Sequence, residues 1–322
     1  MVSWKDTLKF DPIPRLLLTS NIAIKYFVRR DLLEEDVQSI EFLWKLPEVK
    51  KVLKKQQSDG SWKYPGGKKD IHSQENYNQL ETYRQLGNLI EKYGFTKKHL
   101  IISQAAEFLF SFQTEEGDFR GIYGTQYTPN YSAAIMELLI KAGYEDDPRI
   151  EKGFKWLLSI RQDDGGWVIP IRTHNIKWSD VVNSNEVLQP IRKKSFSHLA
   201  TGIVLRAFAA HPYFRKVNEA KIAGNLLVSH LCEKDNYRDR GTVEYWEKVS
   251  FPFWFTDILS VLDTLYFLGF TKNHPKVKNA LNWLKERQMK SGLWDLKLLR
   301  TRDKDLPLWI TLVICRIFKN FN

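Results

Sequence analysis

Two stretches of the chain repeat one phrase: residues 156–167 read WLLSIRQDDGGW, and residues 283–294 read WLKERQMKSGLW. Both open on Trp-Leu and close on Gly-x-Trp. A related phrase, FLFSFQTEEGDF, occupies residues 108–119, and a shorter form begins at Gln56. Agreement at many matched offsets indicates a repeat architecture, in which each copy is one supersecondary unit that packs on its neighbours.

Each phrase follows a segment with helical periodicity. In residues 275–288, the apolar residues Val277, Ala280, Leu281 and Leu284 fall on one helical stripe, and polar residues occupy the remaining positions. Such a pattern is typical of an amphipathic helix with one face in water. The segment begins with a proline, which a helix tolerates in its first turn.

The segments between these amphipathic helices are apolar almost all round, which is typical of buried helices. Gly94, Gly143 and Gly269 mark three of the turns from a buried helix to its amphipathic partner, as a C-terminal glycine should. The buried segments lie at about 75–92, 128–142, 195–210, 254–268 and 305–318.

Alternating inner and outer helices predict an all-α fold, an α/α toroid of five or six helix pairs that takes up residues 1–322 as one domain. We expect the glycine of each phrase to supply a turn and its Trp to pack against the neighbouring outer helix. Residues 1–18 would form an N-terminal arm. The connection at about 168–195 is too long for a simple link and predicts a lid over the toroid mouth, with Arg172, His174, Trp178 and Asp180 as candidate contacts.

The net charge of +11 and the pI near 9.4 favour contact with anionic surfaces. Because the lysines are spread along the whole sequence, one interpretation is that the charge mainly keeps the protein in solution. The alternative is peripheral contact with an anionic membrane surface. The best candidates for an anionic contact are Lys50, Lys51, Lys54, Lys55, Lys63, Lys68 and Lys69. No nucleic-acid motif accompanies the charge, so no specific nucleic-acid partner is expected. With two cysteines, no signal peptide and no span-length apolar run, the sequence predicts a cytoplasmic protein.

The repeated phrase, Trp/Phe-Leu-x3-Gln-x3-Gly-x-Trp/Phe, resembles the QW repeat of squalene–hopene cyclases. It is more broadly similar to the prenyltransferase and squalene-oxidase repeat of the terpenoid cyclase and protein prenyltransferase superfamily. The resemblance covers roughly residues 45–300 and implies an isoprenoid or other hydrophobic ligand in the central cavity. Two departures occur: Arg161 holds the Gln position with Gln162 after it, and the unit at 216–246 is degenerate.

The motifs that carry chemistry in that superfamily do not come with the repeat. The sequence has no Asp-x-Asp-Asp, the acid that protonates an alkene in class II cyclases, and no convincing Asp-Asp-x-x-Asp for magnesium. Neither Cys232 nor Cys315 follows an Asp by two positions, as the prenyltransferase zinc site would require. We therefore predict no metal and no cofactor, and whether the protein catalyses a reaction stays open.

Two polar residues on inner helices are candidates for catalysis. Asp257, flanked by Trp254 and Phe255, would have a raised pKa in an aromatic pocket and could act as a general acid. The alternative is an Asp that caps its helix and is favoured by the helix dipole. His198 is the second candidate, with a hydrogen-bonded core histidine as its alternative.

Aromatic residues on the inner helices predict the substrate-binding surface. Cation–π attraction to such rings would favour carbocation chemistry. The predicted substrate-binding residues are Tyr77, Tyr131, Trp254, Phe255, Trp309 and Trp178.

Two other classes of function remain open. A carbohydrate-active α/α-toroid enzyme would need two carboxylates at the mouth, for which Asp257 with Glu75 or Asp305 could serve. A non-catalytic scaffold would bind a partner through the basic surface.

Overall fold

The computed structural model describes residues 3–66, 74–181, 184, 186–299 and 303–322, without the side chains of residues 74–76 and Trp178. Its strands in these ranges are β1 (Lys248–Val249) and β2 (Lys297–Leu298), which pair in parallel. The α-helices of the same ranges are α1 (Ile13–Leu17), α2 (Ile22–Phe27), α3 (Pro47–Leu53), α4 (Gln74–Tyr93), α5 (Leu100–Phe110), α6 (Pro129–Leu139), α7 (Pro148–Ser159), α8 (Trp178–Val181), α9 (His198–Ala210), α10 (Asn218–Ser229), α11 (Ile258–Phe267), α12 (Pro275–Glu286) and α13 (Leu306–Asn320).

The inner helices form a closed ring. Along the ring α2 contacts α4, and α6, α9, α11 and α13 follow in turn until α13 returns to α2. Residues along nearly the whole length of α9 are buried, as expected for a helix surrounded by protein. Five of these helices match the apolar segments of the sequence, and the architecture is the predicted all-α toroid.

Outer helices pack on this ring from outside, where α5, α7, α10 and α12 contact α4, α6, α9 and α11 respectively. In α12 the predicted stripe of Val277, Ala280, Leu281 and Leu284 is buried. The predicted turn residues Gly94, Gly143 and Gly269 all have positive φ.

The glutamine at the Gln position of three of the phrases joins consecutive outer units. Its Nε2 donates both to the carbonyl oxygen of the phrase's own glycine and to a carbonyl oxygen in the neighbouring unit. Three glutamines make this pair of bonds at 2.8–3.2 Å: Gln56 with Gly60 and Ile101, Gln113 with Gly117 and Arg149, and Gln288 with Gly292 and Phe10.

The closing tryptophan has a different partner from the one that the sequence suggested. Its indole Nε1 donates at 2.7–2.9 Å to a carbonyl oxygen ten residues earlier, in the outer helix of its own unit. The pairs are Trp62 with Val52, Trp167 with Leu157 and Trp294 with Leu284. The hydrogen bond of the indole therefore ties the loop to its own outer helix, whereas the glutamine bonds to the neighbouring unit.

Gly117 shows why the phrase needs glycine. Its φ is +116°, and a Cβ there would lie 2.6 Å from the carbonyl oxygen of Lys152 in the next outer helix. The turn therefore requires both a left-handed backbone and a close approach between units.

The N-terminal segment takes part in closing the ring. The backbone N–H groups of Lys9 and Phe10 donate to Oε1 of Gln288 at 3.0 and 3.1 Å. Trp4 and Leu16 are buried, and α1 contacts α13. Among the helices of the described residues, none combines the length and the apolar character that a membrane crossing requires.

Candidate functional site

A cavity of about 540 Å³ opens near the N-terminal ends of the inner helices. Helices α4, α6 and α9 and the segment before α11 form its wall, together with parts of the 168–195 connection and of residues 239–245. The residues that line the cavity include Tyr83, Arg84, Tyr123, Thr128, Asn130, Tyr131, Ile169, Ile171, Arg172, Leu199, Ile203, Asp239, Arg240, Tyr245, Trp254 and Phe255.

Aromatic rings cover much of this wall. The ring of Trp254 meets that of Tyr83 edge-on, with 5.4 Å between centroids, and Tyr123 meets Tyr131 in the same way at 5.4 Å. Trp254 fits because α4 carries Gly87 opposite, where a Cβ would lie 2.8 Å from the indole Cη2. The predicted binding residues Tyr131, Trp254 and Phe255 thus share one cavity.

Asp257 is fully buried and is not among the residues that line this cavity. Its Oδ1 accepts from the backbone N–H of Ser260 at 2.8 Å, and Ser260 Oγ accepts from the N–H of Asp257 at 2.9 Å, which caps α11. Its Oδ2 has no hydrogen-bond partner among the described residues. Burial raises the pKa of Asp257 to about 6, against the hydrogen bond from Ser260 and the charges of Arg206 and Arg240. This geometry is that of an aspartate that caps its helix, which was the alternative interpretation of Asp257. The role of general acid stays a prediction.

His198 begins α9 and lies in a small space next to the main cavity, with Arg240, Tyr245 and Trp246. Burial lowers the pKa of His198, while the charge of Asp235 opposes that shift. Its ring lies 5.7 Å from that of Trp246, centroid to centroid. The main cavity is bounded by the next residue, Leu199, so a catalytic role of His198 also stays a prediction.

The remaining predicted aromatics lie elsewhere. Trp309 is 1% exposed and stacks on Phe251 at 5.6 Å, in the packed interior rather than on the cavity wall. Tyr77 packs edge-on against Tyr64 at 4.9 Å. Trp178 begins the short helix α8, and its side chain is outside the described set.

Of the two partner carboxylates considered for a glycosidase, Asp305 is not among the described residues that line the cavity. Asp305 accepts a hydrogen bond from Asn21 Nδ2 at 2.8 Å, immediately before α13. The side chain of Glu75 lies outside the described set.

The long connection passes along one side of the cavity. Ile169, Ile171 and Arg172 line the wall, and the Arg172 guanidinium donates from Nε and Nη2 to both carboxylate oxygens of Asp239 at 2.6 Å. Of the predicted lid contacts, Arg172 therefore reaches the cavity. His174 Nε2 instead makes a 2.8 Å hydrogen bond to the Gln189 carbonyl oxygen.

A buried glutamine fixes the rest of this connection. Gln126 Nε2 donates to the carbonyl oxygens of Val181 and Glu186, each at 2.9 Å. Its Oε1 accepts from the N–H of Leu188, also at 2.9 Å. One side chain thus holds Val181, Glu186 and Leu188 against the toroid.

A buried ion pair lies next to the cavity. Nε of Arg206, on α9, donates to Oε2 of Glu137, on α6, at 2.8 Å. Nη1 of Arg206 donates to the carbonyl oxygen of Phe255 at 3.4 Å, so the pair supports a residue of the wall.

A second cavity of about 550 Å³ lies at the opposite ends of the inner helices and is strongly charged. Its residues include Glu91, Lys141, Asp263 and Arg316. Within the described ranges, no three His, Cys, Asp or Glu residues group as a metal site would require.

The sequence reasoning missed several residues of the main cavity. Leu80, Tyr83 and Arg84 line the cavity. They share one helical face with the i, i+3, i+4 spacing, so the periodicity of α4 could have predicted them. Arg240 and Tyr245 lie in the degenerate unit, in irregular and 3₁₀ segments whose sequence has no period to recognise.

Comparison with known proteins finds one family model that matches part of the chain. The family model of the squalene-hopene cyclase C-terminal domain matches residues 77–184, which include α4, α6 and α7. Among curated proteins, no sequence matches this chain.

Solved structures of similar shape include the type II terpene cyclase MstE from Scytonema without ligand, at 12% identity and a TM-score of 0.40, covering 84% of this chain and 95% of MstE. A variant of MstE in complex with its substrate, geranylgeranyl dihydroxybenzoate, has 14% identity and a TM-score of 0.41, with 84% and 94% covered. A protein from Actinoplanes has 14% identity and a TM-score of 0.38, with 87% of each chain covered.

Proposed function

We propose that this protein binds an isoprenoid or similar hydrophobic substrate in the main cavity, and the match of residues 77–184 to the squalene-hopene cyclase C-terminal domain supports this proposal. The observation that carries the proposal is the aromatic wall of Tyr83, Tyr131, Trp254 and Phe255 around a space of about 540 Å³. That volume falls in the range of roughly 300–1,000 Å³ typical of small-molecule sites.

The apolar residues of the wall suit a branched hydrocarbon chain. Leu199 and Ile203 project from α9, and Ile169 and Ile171 project from the long connection. Burying such a chain against these side chains gains about 25 cal/mol per Å² of apolar area removed from water. The faces of the aromatic rings would also attract a positive charge that develops on the chain.

Cyclase chemistry on this chain would need a protonated acid that can donate to the substrate, and Asp257 remains our candidate. Its raised pKa and its unpartnered Oδ2 fit a carboxyl group that carries a proton near pH 6. Asp257 does not line the main cavity, so the acid would act only if Oδ2 could reach the substrate. Turnover is therefore a separate proposal from binding, and it has its own assay below.

A carbohydrate-active enzyme fits the wall less well. Glycosidases use a pair of carboxylates at the scissile bond. Asp239 is the one carboxylate among the described lining residues, and Arg172 already engages both of its oxygens.

The basic surface supports our proposal of peripheral contact with an anionic membrane. Lys50, Lys51, Lys54 and Lys55, in and just after α3, and Lys63 are all exposed. Each lysine near an anionic bilayer adds roughly 1 kcal/mol of attraction. Sedimentation with phosphatidylserine vesicles, but not with neutral ones, would support this contact, and equal sedimentation with both would refute it.

Native mass spectrometry on protein purified without detergent tests the binding proposal. We expect a complex with added geranylgeraniol that Trp254→Ala weakens, whereas Trp283→Ala on the outer helix α12 leaves it unchanged. Absence of any complex with geranylgeraniol, farnesol or squalene would refute the proposal.

Turnover is tested by gas chromatography of extracts from incubations with wild type and with Asp257→Asn. If Asp257 is the acid catalyst, we expect a cyclised product that the wild type forms and the variant does not.

A further inference from the structure

The main cavity contains a buried guanidinium without an ionic partner, that of Arg240. The side chain is 93% buried, since only 7% of its surface is exposed, and it borders both the main cavity and the small space beside His198. Among the described residues, no carboxylate pairs with it, and its buried Nε has no hydrogen-bond acceptor. Arginine is rarely buried to this degree without a partner, because desolvating the charge costs free energy.

Aromatic contacts offset only part of that cost. The Arg240 guanidinium carbon lies 4.6 Å from the ring centroid of Tyr245 and 5.1 Å from that of Phe255. These rings stabilise the charge but accept none of the five N–H donors of the fork in the way that an oxygen does. Burial accordingly lowers the pKa of Arg240 from its ordinary value, although four neighbouring acidic groups oppose that shift.

The neighbouring carboxylates make contacts with other groups of the protein. Asp239 is held by the two-bond contact with Arg172, and Asp257 caps α11 through Oδ1. Arg240 itself is fixed in place by its backbone, because its N–H donates to Tyr237 and its carbonyl oxygen accepts from Asp235. The backbone hydrogen bonds thus fix the position of Arg240, and its guanidinium can bind an acceptor group of a ligand.

We propose that Arg240 receives an anionic group of the ligand, so that the substrate is an isoprenoid that carries a carboxylate or a phosphate monoester at one end. This inference rests on the proposed function and names the substrate class for the same cavity. A planar guanidinium matches the paired oxygens of either anion through two parallel hydrogen bonds.

Other polar groups of the wall favour a polar end on the ligand. Thr128 Oγ1 and Asn130 Oδ1 are buried in the lining, and neither has a hydrogen-bond partner among the described residues. The Arg84 guanidinium also lines the cavity and lies 3.6 Å from Glu81, longer than a close ion pair. The wall therefore combines an apolar aromatic part for a hydrocarbon with unpaired polar groups for a head group.

Calorimetric titration with three ligands of one chain length tests the inference: geranylgeranoic acid, geranylgeranyl monophosphate and geranylgeraniol. We expect wild type to bind one or both anions at least tenfold more tightly than the alcohol, and which anion binds more tightly identifies the head group. In Arg240→Gln we expect that preference to disappear while the affinity for geranylgeraniol changes less than twofold. Arg240→Lys should keep part of the preference for the anions, since lysine keeps the positive charge but lacks the planar guanidinium that makes two parallel hydrogen bonds.

The control is Arg238→Gln, which removes an exposed arginine two positions away and should leave all three affinities unchanged. Retained binding of geranylgeraniol by Arg240→Gln shows that this variant is folded. Equal affinity of wild type for the alcohol and the anions, or an unchanged preference in Arg240→Gln, would overturn the inference and leave the proposed function standing. If wild type binds none of the three ligands, the proposed function itself fails.

Discussion

Arg206 on α9 donates a 2.8 Å hydrogen bond to Glu137 on α6, with side chains only 3% and 5% exposed, inside the ring of inner helices. Lys141 Nζ donates to the other oxygen of Glu137 at 2.8 Å and to Glu91 at 2.6 Å. Burial alone would raise the pKa of Glu137, but the two cations outweigh it and hold that pKa below its ordinary value. The interior of the toroid therefore contains a charge network whose centre is one carboxylate.

Removing that central carboxylate should cost more stability than removing one of its cations. Glu137→Gln leaves both Arg206 and Lys141 without a full partner, and we expect it to lower the free energy of unfolding by about 3–5 kcal/mol. Arg206→Met leaves Glu137 paired with Lys141, so its cost should be smaller. Urea unfolding at pH 7 measures both, and a larger cost for Arg206→Met would contradict the network.

The glutamine of the repeated phrase should contribute to stability through its two hydrogen bonds. Gln113→Ala removes the bonds to the carbonyl oxygens of Gly117 and Arg149, and we expect a loss of about 1–3 kcal/mol. Gln104→Ala, at an exposed position of α5, is the matched control. The link between outer units would be disproved if urea denaturation gave the same stability for both variants.

Asp257 should make stability depend on pH. Its pKa of about 6 in the folded protein lies above the ordinary value of 3.8, so the folded state holds this proton more tightly than the unfolded state. The resulting stability is fully present below about pH 4 and is lost as the pH rises through about 6. The shift corresponds to at most about 3 kcal/mol.

Asp257→Asn keeps the cap but cannot ionise, so its stability relative to wild type should increase between pH 4 and pH 7. Thermal unfolding across that range measures the difference. Burial also raises the pKa of Asp263 to about 6, and Asp263→Asn serves as a comparison that leaves the cap of α11 untouched. A constant difference between Asp257→Asn and wild type from pH 4 to pH 7 would show that Asp257 ionises normally.

Gln126 should control the order of the connection beside the cavity. Gln126→Ala removes the bonds to Val181, Glu186 and Leu188, and we expect faster local opening there. Losing about 1.4 kcal/mol of local stability corresponds to roughly tenfold faster exchange of the Leu188 amide. Hydrogen exchange read by mass spectrometry measures this, with peptides of α9 as the internal control. Unchanged exchange in residues 181–191 would show that other contacts hold the segment.

The toroid could be predicted because the repeated phrase marks the end of each outer helix, and its offsets recur along the chain. Helix α2 was missed, since Ile22–Phe27 spans too few residues to show a period and continues into a π-helical turn at Val28–Leu32. The hydrogen-bond partner of the closing Trp also could not be predicted from the sequence, because the same spacing within the phrase lets an indole N–H reach its own helix or the next one.

The site could be predicted in part. Tyr131 and Trp254 were found because they lie near the starts of inner helices, where a toroid has its mouth. Trp309 occupies a similar place in α13 but faces packed aromatic rings, since the rotation of a helix about its axis decides between cavity and core. The position of Arg240 at the cavity could not be predicted from the sequence, because it depends on an irregular segment and on contacts between residues distant in sequence.

We expect the hydrocarbon chain of a bound ligand to lie between Tyr131 and Trp254 in the main cavity. The most direct test is a crystal structure of the protein grown with geranylgeraniol. We predict electron density for the chain within van der Waals contact of both rings. An empty main cavity with the ligand in the charged cavity at the other end of the ring, or on the surface, would contradict the account.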